Sequence, residues 1–194
     1  MRTLLAGAVV LTLSGCATGL PQRPTAATAR ACPDGAAGLS TPPGKSWWVE
    51  NRWRFASDEA ATAAYDALLK GASPWPDWMG PTSTVLPVGT RFQMALGVGQ
   101  PTDRPGGFGT FDLIRRVSDV RDALAVRYEW KPDIDRVVTY EVVEPLPVKV
   151  GPIGPQVDPK LCRILPGRWS QFEMAVPPPE RAKHLKVVEV RPIR

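Results

Sequence analysis

Few side chains in this 194-residue chain suit nucleophilic or metal chemistry. There is one histidine, His184, and the three cysteines, Cys16, Cys32 and Cys162, are far apart in sequence. A serine or cysteine nucleophile needs a neighbouring general base, and a structural metal site needs about four suitably spaced ligands. The sequence therefore argues against a Ser-His or Cys-His catalytic system and against a metal site.

Two glutamates, Glu141 and Glu173, could act as acid or base catalysts. Both lie in segments rich in apolar residues, where the pattern predicts β-strands. Charged residues in such strands usually point to solvent. The pattern therefore favours a surface position for both over a catalytic role.

Residues 97–109 form a stretch with five glycines and two prolines. Glycine permits backbone conformations that other residues avoid, and proline fixes one of them. A loop of this composition is usually shaped for a function. A plain surface connection is the alternative.

Three separated segments share residues, order and spacing with a known family. They are 86–90 (LPVGT) with 103–111 (DRPGGFGTF), then 140–142 (YEV) with 145–148 (PLPV) and 151–153 (GPI), and last 166–172 (PGRWSQF). Together they resemble the catalytic domain of the tuberculosis necrotizing toxin family of NAD glycohydrolases, over roughly residues 86–193. Each motif alone is weak, and their order in series makes the resemblance more specific than any one of them.

This resemblance implies a small β-rich enzyme that cleaves the nicotinamide–ribosyl bond of NAD⁺, which is a substrate and not a cofactor. It places the arginine that contacts the dinucleotide phosphates at Arg104 and the essential glutamine at Gln171. A neutral glutamine can hydrogen-bond a ribose hydroxyl or a water without adding a buried charge. The substrate-binding positions that it implies are Gly106, Gly107, Phe108, Phe111 and Phe172.

The chain also departs from the family pattern. Pro105 stands where the family has an aromatic residue, and Arg168 and Trp169 replace two glycines just before Gln171. These bulky side chains could narrow or close a pocket. Arg91 is an alternative phosphate contact. A catalytically inactive relative that serves as a binding module of the cell envelope is therefore the second interpretation.

The first residues predict an export signal. Arg2 precedes an apolar run to Leu13 that is far shorter than the ~20 residues needed to span a bilayer. Residues 13–16 (LSGC) resemble the lipobox of bacterial lipoproteins, which implies removal of residues 1–15 and lipidation of Cys16. The protein would then be anchored at the bacterial cell envelope, on its periplasmic or extracellular face. An ordinary secretory signal and an uncleaved anchor are the alternatives.

Outside the cytoplasm, Cys32 and Cys162 are expected to form a disulfide bond. Two unpaired thiols are the alternative. The formal charge of +5 is modest, and lysines and arginines do not cluster with interleaved aromatic residues, so nucleic-acid binding is not expected. The sequence identifies neither a protein partner nor an immunity protein.

The mature chain divides into a tether and one globular domain. Residues 16–45 are rich in Ala, Thr, Pro and Gly and poor in large apolar residues, which predicts a flexible tether. A single domain is then expected over 46–194. Its first segment, 46–55, is dense in aromatic residues and predicts an extended piece of the core, or alternatively a platform that stacks on a carbohydrate or other ligand.

One helix has strong local signals. Ser57 is a suitable N-cap, Gly71 a suitable end, and residues 61, 64, 65 and 68 share an apolar face. A short helix capped by Ser118 and Asp119 is expected up to residue 126, and strands over 136–143, 170–176 and 185–192. A strand pair is expected around a turn at residues 87–89, and 145–154 should lie at a sheet edge or in a crossing loop because of its prolines. The pattern predicts an α+β fold, a small and mostly antiparallel sheet or half-barrel with one or two helices in its N-terminal half.

Overall fold

The protein is described by a computed structural model that covers Cys32 and residues 36–194. Within this part of the chain two α-helices precede nine β-strands, and every strand pairing is antiparallel. The predicted α+β fold class is confirmed. The elements are α1 (Pro42–Asn51), α2 (Asp58–Lys70), β1 (Thr82–Leu86), β2 (Arg91–Gly97), β3 (Phe108–Gly109), β4 (Ile134–Val142), β5 (Leu146–Pro152), β6 (Gln156–Asp158), β7 (Arg163–Leu165), β8 (Ser170–Met174) and β9 (Leu185–Pro192).

Two open sheets make up most of the β-structure, and they do not close into a barrel. One has the strand order β1-β5-β8-β3, the other β2-β4-β9, and β6 and β7 form a separate hairpin. Apolar side chains of both larger sheets meet in one core. Phe92 of β2 lies there between Tyr140 of β4 and Phe172 of β8, with ring centroids 5.6 and 4.8 Å away.

Helix α2 follows the local signals of its sequence. The Ser57 hydroxyl oxygen accepts a hydrogen bond from the backbone N–H of Ala60 at 3.2 Å, and Gly71 ends the helix with a φ of 64°. Ala61 and Tyr65 are buried on its inner face. The predicted cap, end and apolar face are confirmed.

The folded part begins before residue 46, so the predicted tether is wrong for its described residues. Cys32 and Ala37 are buried, and α1 begins at Pro42. Proline suits the first turn of a helix, where its missing N–H would have no partner. The extended segment predicted over 46–55 is therefore mostly helix, and Trp47 packs on Tyr65 with ring centroids 5.3 Å apart. The predicted signal peptide, Cys16, and tether residues 17–31 and 33–35 lie outside the described residues.

The disulfide between Cys32 and Cys162 is confirmed, with Cα atoms 4.6 Å apart. Cys162 lies in the turn between β6 and β7, and the backbone N–H of Cys32 donates to the carbonyl of Pro159 in the same turn. The bond therefore fixes the N-terminal segment to the β6–β7 hairpin. None of the described helices is long and apolar enough to cross a membrane.

Two predictions about strand pairing are wrong. The turn at residues 87–89 is present, but β1 and β2 on its two sides belong to different sheets. The prolines of 145–154 do not place it at an edge, because β5 lies between β1 and β8. Leu146 and Val148 of β5 are buried in the main core, and β5 forms hydrogen-bonded ladders with a strand on each side.

A short π-helical turn, Asp119–Ala123, stands where a helix capped by Ser118 was predicted, and Ser118 makes no capping bond. The Asp119 carboxylate instead accepts hydrogen bonds from the backbone N–H groups of Arg115 and Arg116. The anchored turn leads into the segment that lines the cavity described next.

Candidate functional site

A cavity of about 440 Å³ opens where β2, the glycine-rich loop and β8 meet. Arg104 from the loop and Gln171 from β8 both line it, although they are distant in sequence. Its apolar lining includes residues of the π-helical turn, of the segment after it and directly after β5: Val120, Leu124, Ala125, Val126 and Ile153. The cavity thus combines an apolar wall with a few polar groups, as ligand pockets commonly do.

Three hydrogen bonds help to hold the glycine-rich loop in place. The Gln100 side-chain oxygen accepts from the Gly97 N–H at 2.8 Å, and the Arg136 guanidinium donates to the Gln100 carbonyl. The Tyr140 hydroxyl donates to the Thr102 carbonyl at 2.8 Å, and burial raises the pKa of Tyr140 to about 12. The loop therefore presents residue 104 from a fixed backbone.

Arg104 is exposed at the cavity and is not in an ion pair with any acidic side chain of the described residues. Gly106, Gly107 and Phe108 line the same cavity just after it. A guanidinium with no internal partner, beside a backbone without side chains, suits an anion such as a pyrophosphate. The loop residues that the resemblance selects are thus brought together.

Gln171 carries a polar group that nothing in the described part of the chain satisfies. Its side-chain nitrogen is buried and has no hydrogen-bond partner there. The next residue, Phe172, points into the core, and alternation along β8 turns Gln171 to the other face. A buried N–H without a partner is unfavourable, so its presence in a cavity wall suggests a ligand that accepts it.

The start of β8 is locked in place by Asp112. The Asp112 carboxylate accepts hydrogen bonds from both the backbone N–H and the hydroxyl of Ser170, each at 2.7 Å. Thr110 lies 3.3 Å from each of the same two side chains. Because Ser170 directly precedes Gln171, this network fixes the backbone from which the glutamine projects.

Of the three further glutamines that line the cavity, Gln93 and Gln156 have hydrogen-bond partners on each end of the amide. Gln93 accepts from the Ile114 N–H at 2.8 Å and donates to the Thr139 hydroxyl at 3.3 Å. Gln156 accepts from the Arg127 guanidinium at 3.2 Å and donates to a backbone carbonyl at 2.8 Å. Gln171 differs from them in having an unsatisfied amide nitrogen.

Sequence reasoning missed two cations near this site. Lys131 lines the cavity and donates to the Ala95 carbonyl at 2.7 Å, and burial, with Arg121 nearby, lowers the pKa of its amine. The Arg181 guanidinium lies beside Gly107, about 3.3 Å from where a Cβ would stand. The Trp and Pro residues on either side of Lys131 indicate only the end of a helix. No local sequence pattern indicates that Arg181 lies near the loop.

The three phenylalanines implied as stacking residues are separated by the structure. Phe108 lines the cavity. Phe172 is wholly buried in the core, so the expectation that it stacks on a ligand is wrong. Phe111 is not part of the lining and instead packs on Phe172, with ring centroids 5.2 Å apart. Gly109 serves this core too, because a Cβ there would stand 2.5 Å from the Phe172 ring.

The other candidate residues lie outside the cavity. Arg91 pairs with Glu141 at 2.8 Å, so the alternative phosphate contact is engaged on a sheet surface. Neither Glu141 nor Glu173 belongs to the lining. Arg168 and Trp169 also lie outside it, so the substitution of two glycines by bulky residues does not close the cavity. In residues 32 and 36–194, no three metal-ligating side chains cluster where they could hold an ion.

No family model matches this chain, and no curated protein matches it. The chain is similar to one in the structure of Tne2 in complex with Tni2, with 23% identity and a TM-score of 0.51, over 61% of this chain and 97% of that one. This similarity shows a shared fold. The chain is less similar to Rhs1-CT in complex with its cognate immunity protein RhsI1, with 15% identity and a TM-score of 0.38 over 58% of this chain and 80% of that one. It is also less similar to Tse6 in complex with Tsi6, with 11% identity and a TM-score of 0.39 over 75% of this chain and 93% of that one. TM-scores this low support no argument.

The arrangement suits a ligand that is anionic in one part and planar in another. Arg104 and the loop backbone can hold negatively charged oxygens, and Phe108 and the apolar wall can cover a ring. Between them, the free amide of Gln171 can donate to an oxygen of the ligand or of a water. The cavity provides binding and orientation without a strong acid or a nucleophile.

Proposed function

We propose that the protein is an exported NAD glycohydrolase, which hydrolyses the bond between nicotinamide and ribose in NAD⁺. The observation that carries the proposal is the convergence of Arg104 and the unsatisfied amide of Gln171 on one cavity. The motif resemblance in the sequence selects the same two residues. The fold shared with a chain of the Tne2–Tni2 structure agrees with this proposal and does not by itself carry it.

In the proposed reaction, water adds to the anomeric carbon of the ribose as the bond to nicotinamide breaks. The products are nicotinamide, ADP-ribose and one proton. The leaving ring is already cationic, so departure needs no proton from an acid. The Gln171 amide would orient the water or a ribose hydroxyl as positive charge develops on the sugar, and Arg104 would hold the pyrophosphate.

The direct test is nicotinamide release from NAD⁺ by the purified full chain, followed by chromatography. Release that is linear in enzyme and abolished in an Arg104→Ala/Gln171→Ala double variant supports the proposal. Release that survives in the double variant would indicate a contaminating enzyme. A folded wild-type protein that releases no nicotinamide would contradict the proposal.

A lipid anchor at Cys16 belongs to this proposal. Each buried CH₂ of an acyl chain contributes about 0.8 kcal/mol, so two or three chains hold a domain firmly at a membrane. Cys16→Ser should therefore move the protein from the membrane fraction to the soluble fraction with an unchanged melting temperature. If the variant remains with membranes after a high-salt wash, the lipid is not the anchor.

A second candidate function is a binding module of the cell envelope. It is favoured by two tryptophans on the surface, Trp53 and Trp78, which are 79% and 60% exposed. Large exposed aromatic side chains are enriched in binding sites. A protein partner also belongs to this candidate, since the chain that shares the fold is in a complex, Tne2 with Tni2.

A further inference from the structure

A second and larger cavity, of about 700 Å³, lies between the two helices, residues 72–79 and residues 152–168. It shares Ile153 with the first cavity, so the two lie on either side of this residue. Neither Arg104 nor Gln171 lines it. A ligand there would therefore contact neither of the two residues on which the proposed glycohydrolase site depends.

Its walls are aromatic and proline-rich. Trp47, Trp75 and Trp78 line it together with Pro76 and Pro155. Trp78 remains 60% exposed although the Arg54 guanidinium lies over its ring at 4.8 Å. Such walls offer flat apolar surfaces to a ligand that is itself flat and partly apolar.

A set of hydrogen-bonding groups is fixed along the same cavity. The Arg54 guanidinium donates to the Asp77 carboxylate at 2.6 Å and to the Asn51 amide oxygen at 3.0 Å. Glu50, one helical position before Asn51, also lines the cavity. Asn51, Arg54 and Asp77 hold one another in place and retain free lone pairs and N–H groups for a ligand.

Arg168 adds a cation with no internal counter-charge. Arg168 directly follows Gly167, and its own backbone has a φ of 90°, in the left-handed region. Its backbone N–H donates to the Ile153 carbonyl at 3.0 Å. Glycine adopts this conformation without strain, whereas other residues rarely do. Its side chain lines the cavity and makes no ion pair among the described residues.

We infer that the second cavity binds an acidic oligosaccharide. A pyranose ring has an apolar face that stacks on tryptophan and a rim of hydroxyls that donate and accept, which matches the walls and the Asn51–Arg54–Asp77 set. A carboxylate on the sugar would pair with Arg168. An acyl chain fits less well, because it would cover the Arg54–Asp77 pair without offering it a hydrogen bond.

The test uses the full chain and two defined probes of equal length, hyaluronan tetrasaccharide (acidic) and chitotetraose (neutral), with binding followed by ligand-observed NMR. Arg168→Gly should weaken hyaluronan binding about tenfold and leave chitotetraose unchanged, as expected for loss of a charged hydrogen bond. The variant should melt no lower than wild type, because glycine suits this φ. Arg168→Lys should restore part of the hyaluronan affinity.

Trp78→Ala should weaken both sugars, and Trp53→Ala, an exposed tryptophan that does not line the cavity, should weaken neither. Three results would overturn the inference. They are that neither sugar binds to the wild type, that Arg168→Gly loses the same affinity for both sugars, or that sodium laurate displaces the bound sugar. Nicotinamide release should be unaffected in all four variants. Failure of the sugar assay and failure of the glycohydrolase proposal are therefore separate outcomes.

Discussion

At the scale of single residues, Arg104 and Gln171 are expected to fail in different ways. Arg104 would contact phosphates in ground state and transition state alike, so Arg104→Ala should raise KM about 10- to 100-fold, as expected for a lost charged hydrogen bond. Gln171→Ala should leave binding nearly intact and lower kcat by roughly 10²- to 10³-fold, since its contact would form mainly in the transition state. Steady-state kinetics of nicotinamide release measure both.

Arg91→Ala is the matched control for the arginine. Arg91 is exposed, pairs with Glu141 and does not line the cavity, so its loss should change neither kinetic constant. Its effect on stability should stay within about 0.5 kcal/mol, as for most exposed ion pairs. A Gln171→Ala enzyme with wild-type kcat would contradict the assignment of the glutamine.

Tyr140 should give the protein a measurable alkaline pH dependence. Its folded pKa is raised to about 12, chiefly by burial, whereas an unfolded tyrosine titrates near pH ~10. A raised folded pKa contributes stability that is complete below pH ~10 and is lost as pH rises toward the folded value. The advantage of wild type over Tyr140→Phe should thus be constant from pH 7 to 9 and fall by about 2 kcal/mol by pH 12, at ~1.4 kcal/mol per pKa unit.

Urea unfolding of the two proteins at several pH values measures this difference. Other lysines and tyrosines titrate in the same range, but they are common to both proteins and cancel. A difference that does not change up to pH 12 would mean that the Tyr140 hydroxyl is solvated and does not hold Thr102.

Single residues were predictable from sequence where a local motif marks them. Arg104 and Gln171 belong to such motifs, and the structure places both at one cavity. Phe172 belongs to the same motif as Gln171, yet its side chain faces the core. Neighbouring residues of a strand point to opposite faces of the sheet, and the motif does not specify which of the two faces the cavity. Lys131 reaches the cavity only through the pairing of distant segments, and no local pattern encodes that.

At the scale of elements, the end of α2 joins the helix to the segment beyond the π-helical turn. The Arg127 guanidinium donates to the carbonyls of Leu68 and Leu69 in the last turn, and it lies over the Trp130 ring at 4.9 Å. Gly71 sits directly against both side chains. This contact also supports the first cavity, because Trp130 lines it.

Gly71→Ala should therefore destabilise more than a change at an equivalent but open glycine. An alanine Cβ at Gly71 would stand 2.9 Å from the Trp130 ring, and the φ of 64° adds about 1 to 2 kcal/mol for any side chain. Gly89→Ala carries the same backbone penalty, with a φ of 88°, and nothing lies within 4 Å of its Cβ. We expect Gly71→Ala to lower the unfolding free energy by at least ~1 kcal/mol more than Gly89→Ala, the overpacking contribution. Equal losses in urea unfolding would show that Trp130 and Arg127 move aside freely.

Element predictions succeeded where the signals are local and failed where partners decide. Ser57 and Gly71 specify α2 within a few residues, and its bounds follow. The aromatic density of 46–55 does not distinguish strand from helix, and Trp47 finds its place only against Tyr65 of α2. Likewise β1 and β2 flank a predictable turn, but hydrogen bonding to β5 and β4 separates them into two sheets.

At the scale of the whole molecule, the Cys32–Cys162 bond closes a loop with a sequence separation of 130 residues. It attaches the N-terminal segment beside the cluster formed by α1, α2 and the β6–β7 hairpin. Neither cysteine lines the first cavity. Stability and activity should therefore respond differently to its loss.

The double variant Cys32→Ser/Cys162→Ser should have an unfolding free energy about 4 to 5 kcal/mol lower than that of the oxidised wild type, the chain-entropy value for a loop of this length, and measured losses are commonly smaller. Urea unfolding of wild type with and without dithiothreitol should give the same difference, and the double variant should be insensitive to the reductant. Below its unfolding transition the variant should release nicotinamide at the wild-type rate, because neither cysteine lines the cavity. Mass mapping of the exported protein under non-reducing conditions provides the direct check, and two free thiols there would contradict the bond. A variant that is stable but inactive would instead mean that the disulfide positions the cavity, through β6 and Gln156, which lines it.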